Sequence, residues 1–441
     1  MIIRFTAKNI FSFKAETEFQ MFPNKASQLP HHKFNVGEYE ILRFSTIYGA
    51  NGAGKSNLIK SINLLKSFAT KGKITAEVKT LKFKLDQLCL TEPISLAIEF
   101  YSNLRVFYYT ITFDENGILY EYLAETTKKE DLLIFERTIE NGIQNIQLNL
   151  SGNDEKKKYF AEFVAKSVAH YELLLTYLSK KFPDDFATVK QAYSWFINQL
   201  VVITVRTEAK GITKLLASNT KTKEFINKFI SSLNTGINQL EVKKVERNYF
   251  NQEDINKIVA DLKNRKPNTW TIFTCHETGE LLTLSLENGE VVIRKLTANH
   301  VSNTGEHVEF GLEQESDGTK RLIDYIPALE KIINKEIVCL IDEIERSIHP
   351  LTIKEMIKKL SWNENMKGQL IFTTHESYLL DQKIFRPDEI WFVQKDKDGS
   401  SRFYSLSDYK INHSVDIENG YLNGRFGGIP FLSNLKDLNW Q

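Results

Sequence analysis

Apolar and polar positions alternate at the start of the chain, through Ile3, Phe5, Ile10 and Phe13, a period that predicts strand with one buried face. A second buried-strand pattern, Tyr39-Glu-Ile-Leu-Arg-Phe44-Ser-Thr-Ile-Tyr48, runs directly into Gly49. Beyond Lys55 the spacing changes to three and four, through Leu58, Ile59, Ile62, Leu65 and Phe68, the apolar stripe of a helix. Strand, glycine loop and helix are therefore expected in that order.

From Leu81 to Arg137 the chain is rich in β-branched and aromatic residues, as in Ile94-Ser-Leu-Ala-Ile-Glu-Phe100 and Phe107-Tyr-Tyr-Thr-Ile-Thr-Phe113, with Asp114-Glu-Asn-Gly117 as a turn. An antiparallel sheet is expected there. Helical spacing then runs from about Lys156 to Leu262, with few glycines and one proline, Pro183. Short strands return at Trp270-Thr-Ile-Phe-Thr and Val291-Val-Ile-Arg. From Glu309 an α/β alternation resumes: helix from Gly318, strand at Ile337, helix after Pro350, strands at Gln369 and Glu389. The pattern divides the chain into an N-terminal lobe (1–155), a helical insertion (156–268) and a C-terminal lobe (269–441). The expected class is α/β, with a mixed central sheet, an antiparallel β subdomain and the helical insertion.

Composition changes this picture little. Of the 441 residues 42% are apolar and 26% charged, values of a folded globular chain, and the length exceeds what one core usually serves. With 57 basic and 56 acidic residues no global field draws the molecule to nucleic acid or to an anionic membrane. A local excess of basic residues from about Val205 to Lys266 reads either as a nucleic-acid or partner face or as a solvated helical surface. Cys89, Cys275 and Cys339 are too few and too scattered for a disulfide framework or a zinc site. With neither a signal-peptide pattern nor a membrane-spanning run of about 20 apolar residues, a cytoplasmic protein is expected.

The candidate chemistry begins at residues 49–56, Gly49-Ala-Asn-Gly-Ala-Gly54-Lys55-Ser56, which match GxxxxGK[ST]. Glycines allow successive N–H groups to point inward, and the following helix adds its positive end, so the loop makes a cradle for phosphate oxygens. Gly49, Asn51, Gly52, Ala53, Gly54, Lys55, Ser56 and Asn57 are the expected nucleotide-binding residues, with Lys55 reaching the β- and γ-phosphates of ATP and Ser56 the Mg²⁺ ion. Ile337-Val-Cys-Leu-Ile341-Asp342-Glu343 is an apolar run ending in two carboxylates: Asp342 is expected in the Mg²⁺ shell and Glu343 beside the attacking water. One strand later, Gln369-Leu-Ile-Phe-Thr-Thr374-His375 ends in a histidine, the candidate γ-phosphate sensor. Lys55, Glu343 and His375 form the candidate catalytic set.

Taken in order, these motifs resemble ABC-type ATPases of the SMC, RecF and OLD kind, in particular the small stand-alone bacterial ATPases of phage-defence and abortive-infection operons, RloA- and AbiL-like. The chain is also similar to the ATPase subunit of the PARIS system. Four further segments carry the resemblance: Ile10-Phe11-Ser12-Phe13-Lys14, Glu315-Ser316-Asp317-Gly318-Thr319-Lys320-Arg321, Ile344-Glu345-Arg346-Ser347-Ile348-His349-Pro350 and Tyr421-Leu-Asn-Gly424-Arg425-Phe426-Gly427-Gly428-Ile429-Pro430. The resemblance implies that Ser316 and Gly318 form a signature motif presented to ATP held by a second copy, so that a homodimer or higher homo-oligomer closes around nucleotide. It implies for His349 a place in a dimer-facing turn; packing beside Pro350 is the alternative. Gln87 is a candidate glutamine-loop residue or a surface glutamine. Neither long coiled-coil arms nor an acidic nuclease constellation is visible, so a separate effector, a nuclease or toxin, is the implied partner. The alternative function is a DNA-binding repair or maintenance ATPase.

Overall fold

The computed structural model describes residues 1–429 apart from 38, 128, 141, 151–153, 206, 208–210, 219, 247–259, 261, 263–269, 275–279, 288, 410 and 412–414. It divides into two compact units. One comprises residues 1–204, 335–344 and 361–441, the other 205–334 and 345–360. These boundaries cut across the three segments expected from periodicity, because each unit is assembled from distant stretches of chain.

The first unit is built on two sheets. Its six-stranded sheet runs in the order Leu200–Ile203, Val338–Ile341, Gln369–Thr373, Phe44–Gly49, Ile390–Lys395 and Ser401–Ser405. The first five strands are parallel, and the last is an antiparallel edge. Val338–Ile341, Gln369–Thr373 and Phe44–Gly49 are buried along their whole length, as parallel strands covered on both faces must be. The seven-stranded antiparallel sheet runs Ile143–Leu148, Asp131–Glu140, Gly117–Thr126, Arg105–Asp114, Ile94–Ser102, Ile2–Lys8 and Thr17–Gln20. One continuous core joins helix Lys55–Lys71 to both sheets through Leu58, Ile62, Phe68, Phe100, Phe113 and Trp195. The buried amide of Gln369 stitches the sheets at a second point: it accepts from Ile2 N (2.8 Å) and donates to the carbonyls of Ile2 (3.0 Å) and Leu42 (2.8 Å).

The α/β class, the antiparallel subdomain and the strand–loop–helix order stand as expected. Three local expectations do not. Residues 78–91 form two short helices rather than sheet, the second capped by Asp86, whose carboxylate accepts from Leu88 N at 2.9 Å. Within the segment expected to be helical, helices Asp154–Ser167, Leu174–Lys181, Ala187–Ser194, Ile212–Ser218 and Thr220–Ser231 are present. The strands Leu200–Ile203 and Ile237–Val245 are present there too.

The second unit is accordingly a mixed α/β body. Its sheet runs Ile237–Val245, Glu290–Val301, Leu281–Glu287 and Trp270–Thr274, with His307–Gly311 pairing Glu290–Val301. Helix Asp317–Asn334 belongs to the same unit.

Candidate functional site

Parallel register decides which residues meet. Ile341 lies opposite Phe372, and Thr373 opposite Ile47, so the segments leaving these strands emerge together at the carboxyl ends, the usual ligand-binding edge of such a sheet. Asp342-Glu343, Thr374-His375 and the glycine loop are thereby gathered from three distant parts of the chain. Gly49 has no room for a side chain, since a Cβ there would lie 2.5 Å from the Val393 carbonyl oxygen of the neighbouring strand. Gly54 has φ +115°, and a Cβ there would overlap the Ser401 hydroxyl. That hydroxyl donates to the Ala53 carbonyl (2.5 Å) and pairs with the Ser12 hydroxyl (2.7 Å), pinning the loop to the edge strand.

Lys55 opens the 17-residue helix that follows, whose first turn contains no acidic residue. Its ammonium is buried and donates to Gly49 O (2.6 Å), Ala50 O (3.1 Å) and His375 Nδ1 (3.2 Å), a partner for each proton. Since an ammonium only donates, His375 accepts at Nδ1, and the ring proton of the neutral imidazole is assigned to Nε2. Burial, and then the Lys55 charge, hold the imidazole below its ordinary pKa of 6.5, against a smaller opposing pull from Asp342. Neighbouring Glu376 is shifted the other way by burial, above the ordinary carboxylate value.

Asp342 is buried and Glu343 half-buried at the end of the acidic strand. Glu343 takes φ +52°, which turns the chain out of the sheet. Thr373, fully buried on the adjacent strand, donates its hydroxyl to Asp342 Oδ1 (2.7 Å) and accepts the Glu343 N–H (2.8 Å). The sequence reading did not single out Thr373, because a threonine inside a strand is ordinary β-branched packing until its neighbour is known.

A cleft of about 910 Å³ lies over this edge. Of the expected residues, Gly49, Asn51, Gly52, Gly54, Lys55, Ser56, Asn57, Glu343 and His375 line it. Ala53 does not: its side chain is buried in the core and its N–H bonds the Ala50 carbonyl at 3.1 Å. Asn57 faces the cleft while its amide donates to Ser12 Oγ (2.8 Å), so it also braces the Ile10–Lys14 turn. Ala50, Lys60, Ser377, Tyr421, Leu422 and Ile429 complete the wall.

The last three flank Gly424-Arg-Phe-Gly-Gly428 in the C-terminal motif. Phe426 is fully buried and stacks on Phe392 (6.0 Å between centroids), as does Tyr421 (5.4 Å). Tyr404 donates to the Phe426 carbonyl (2.7 Å), and Ser377, two residues after His375, donates to Glu418 (2.9 Å). Pro430, the last residue of that motif, lies outside the described residues, as does Cys275.

The two glycine positions, the helix start and the buried ammonium suit the phosphates of a nucleotide. For a hard cation the candidate protein donors are oxygen: the Ser56 hydroxyl, which lines the cleft, and the Asp342 carboxylate, which is buried and outside the cleft lining. Among the described residues no group of three or more His, Cys, Asp or Glu side chains forms a cage. That donor set suits Mg²⁺ carried by phosphates better than a self-contained metal site.

Ser316 and Gly318 belong to the second unit. Ser316 is exposed at the start of helix Asp317–Asn334, where its Oγ accepts from Thr319 N (3.1 Å) and pairs with Thr319 Oγ1 (2.8 Å). It is a helix cap with one face open to solvent. Gly318 lies against the Ser347 carbonyl, where a Cβ would overlap it. His349 is exposed and accepts from Leu351 N (3.2 Å) at the start of helix Pro350–Ser361, so it caps that helix and is not packed into a core. Gln87 is exposed on a short surface helix and does not line the cleft. Among the described residues no helix is long and apolar enough to cross a membrane.

Three solved structures are similar to the chain at a distance. One is an Smc head bound to the C-winged-helix domain of ScpA, at 15% identity and TM-score 0.43, covering 92% of this chain and 97% of that one. A second is the SMC head domain from Thermotoga maritima, at 12% identity and TM-score 0.40, covering 92% and 98%. A third is the Pyrococcus furiosus Smc head domain with an extended coiled coil bound to the C-terminal domain of ScpA, at 16% identity and TM-score 0.38, covering 96% and 98%. None is near enough to carry an argument. No curated protein sequence matches the chain. A family model described as "AAA domain, putative AbiEii toxin, Type IV TA system" matches residues 44–381, from the strand before the glycine loop to beyond His375. That match spans about three quarters of the 441 residues, and the chain belongs to this AAA domain family.

Proposed function

We propose that this chain is a Mg²⁺-dependent ATPase of the ABC type that assembles around ATP and controls a separate effector in defence against phage. One observation carries the reading: Lys55, His375 and Glu343 line a single cleft at the carboxyl edge of the parallel sheet. In that arrangement the loop N–H groups and Lys55 bind the β- and γ-phosphates, and Ser56 and Asp342 hold the magnesium shell. Mg²⁺, when bound, neutralises charge on the phosphate oxygens. Glu343 orients or deprotonates the attacking water, and the His375 Nε2–H senses the γ-phosphate. Ser316 and the start of its helix are exposed donors suited to a γ-phosphate held by a second copy, which makes assembly depend on ATP. Loss of the γ-phosphate on hydrolysis then releases the pair, a two-state switch able to hold or free an effector.

Two substitutions test the chemistry. Lys55→Ala is expected to weaken ATP binding, and Glu343→Gln to bind ATP, lose turnover and accumulate as an ATP-held dimer or larger oligomer in light scattering. Unchanged turnover in Glu343→Gln defeats the assignment. For the biological half, purification with its operon neighbours in the presence and absence of ATP should recover an effector protein. Duplex DNA binding that weakens steeply with salt, with DNA-stimulated turnover and no effector, favours instead the DNA-maintenance ATPase, for which the basic stretch in residues 205–266 is the candidate surface.

A further inference from the structure

The acidic strand ends in a geometric problem. Its ladder partner continues through Thr373, but Glu343 leaves the sheet at φ +52°, and its N–H is met by a side chain on the neighbouring strand. The Thr373 hydroxyl takes that N–H at 2.8 Å and passes its own proton to Asp342 Oδ1 at 2.7 Å. One oxygen thus grips both consecutive carboxylate residues, the first by its side chain and the second by its backbone. The Thr373 main chain adds a third tie, with its carbonyl accepting Ile344 N–H at 3.1 Å. Complete burial of Thr373 keeps water from replacing any of these bonds.

We propose that Thr373 is a positioning residue for the acidic pair: its hydroxyl fixes the Asp342 carboxylate, the group that would help to hold Mg²⁺, through Oδ1, and holds the Glu343 backbone in the left-handed turn. The donated proton is charge-assisted, and a residue that orients a metal-binding carboxylate this way commonly matters as much as the carboxylate's own placement. A left-handed non-glycine residue persists only where its surroundings over-determine it. Thr373 supplies that constraint and couples the Asp342 carboxylate to the Glu343 backbone, so a displacement of one is felt by the other. This inference rests on the ATPase reading of the same site.

The test uses the full chain and the variants Thr373→Ser, Thr373→Val and Thr373→Ala. Binding of a fluorescent non-hydrolysable ATP analogue is titrated with Mg²⁺ and repeated in chelator, alongside kcat, KM and Tm. Thr373→Ser keeps the hydroxyl and is expected within about twofold of the parent in Mg²⁺ half-saturation. Thr373→Val keeps the shape without the hydroxyl and should raise that half-saturation by about tenfold or more, lower kcat rather than raise KM, and leave chelator-state affinity unchanged. Thr373→Ala carries the same expectation should the valine chain not fold. A folded Val or Ala variant with parental Mg²⁺ dependence and kcat overturns the proposal, as does a loss of chelator-state affinity and Tm together in all three variants. The ATPase reading fails separately, if Lys55→Ala binds the analogue as tightly as the parent.

Discussion

His375 is where two physical effects push one ionisation the same way. Partial desolvation and the adjacent Lys55 ammonium make its imidazole resist protonation, so its pKa in the fold lies below the ordinary 6.5. A group with a lowered folded pKa of this kind is neutral in both states above pH 6.5, and its stabilisation is fully present there. As pH falls below 6.5 the unfolded chain takes the proton first, and stability is lost down to the folded pKa. Melting temperature is therefore expected to decline from pH 6.5 downward, and His375→Asn to flatten part of that decline. An unaltered pH profile in the variant would remove His375 from the account. Protonation also ends the Lys55-to-Nδ1 hydrogen bond, so analogue affinity should fall over the same interval. The glycine loop, the acidic pair and His375 stood out in the sequence by residue type as candidates for phosphate and metal chemistry, and the structure brings the loop, Glu343 and His375 to one cleft. Thr373 did not stand out, since its importance comes from a neighbour thirty residues away.

At the scale of elements, the strand–loop–helix unit and the antiparallel sheet were readable from period alone, because each buries one face for most of its length. Leu200–Ile203 escaped notice for a physical reason: four residues are too short to establish a period, and its identity as a strand comes from pairing with Val338–Ile341. Ile237–Val245 was disguised by a bulge between Ile237 and Gln239, which puts Ile237 and Leu240 on the same buried side at helix-like spacing. The C-terminal strap was recognisable as a motif, but not as a wall of the cleft. Its anchor is Phe426, and Phe426→Ala is expected to cost about 3–5 kcal/mol of stability by cavity formation. Because the same strap supplies Tyr421, Leu422 and Ile429, nucleotide affinity should fall together with the chemical-denaturation midpoint. Affinity left intact in a destabilised variant would show that this wall does not contribute to binding.

At the scale of the whole chain, the first unit is held by long-range polar ties as well as by its core. Replacing Gln369 with Leu leaves the Ile2 N–H and the Ile2 and Leu42 carbonyls without their buried partner. Unsatisfied groups of this sort cost about 1–3 kcal/mol each, so an overall loss of about 2–4 kcal/mol is expected in urea unfolding after partial relaxation. Assembly belongs to this scale too: Ser316→Arg in the Glu343→Gln background should bind ATP normally yet remain monomeric by light scattering. An oligomer undiminished by the arginine would exclude the Ser316 face from the contact.

By itself the sequence determined the α/β class and the strand–loop–helix order, and it marked the glycine loop, the acidic strand end and the histidine one strand later as candidates, because these are written in local period and in side-chain chemistry. Only the tertiary structure decided which chain segments share a unit, that Ala53 turns away from the cleft, that the strap lines it and that Thr373 grips Asp342 and Glu343. Those outcomes depend on strand order and register, and parallel strands are paired by packing between segments far apart in sequence, which no local pattern records.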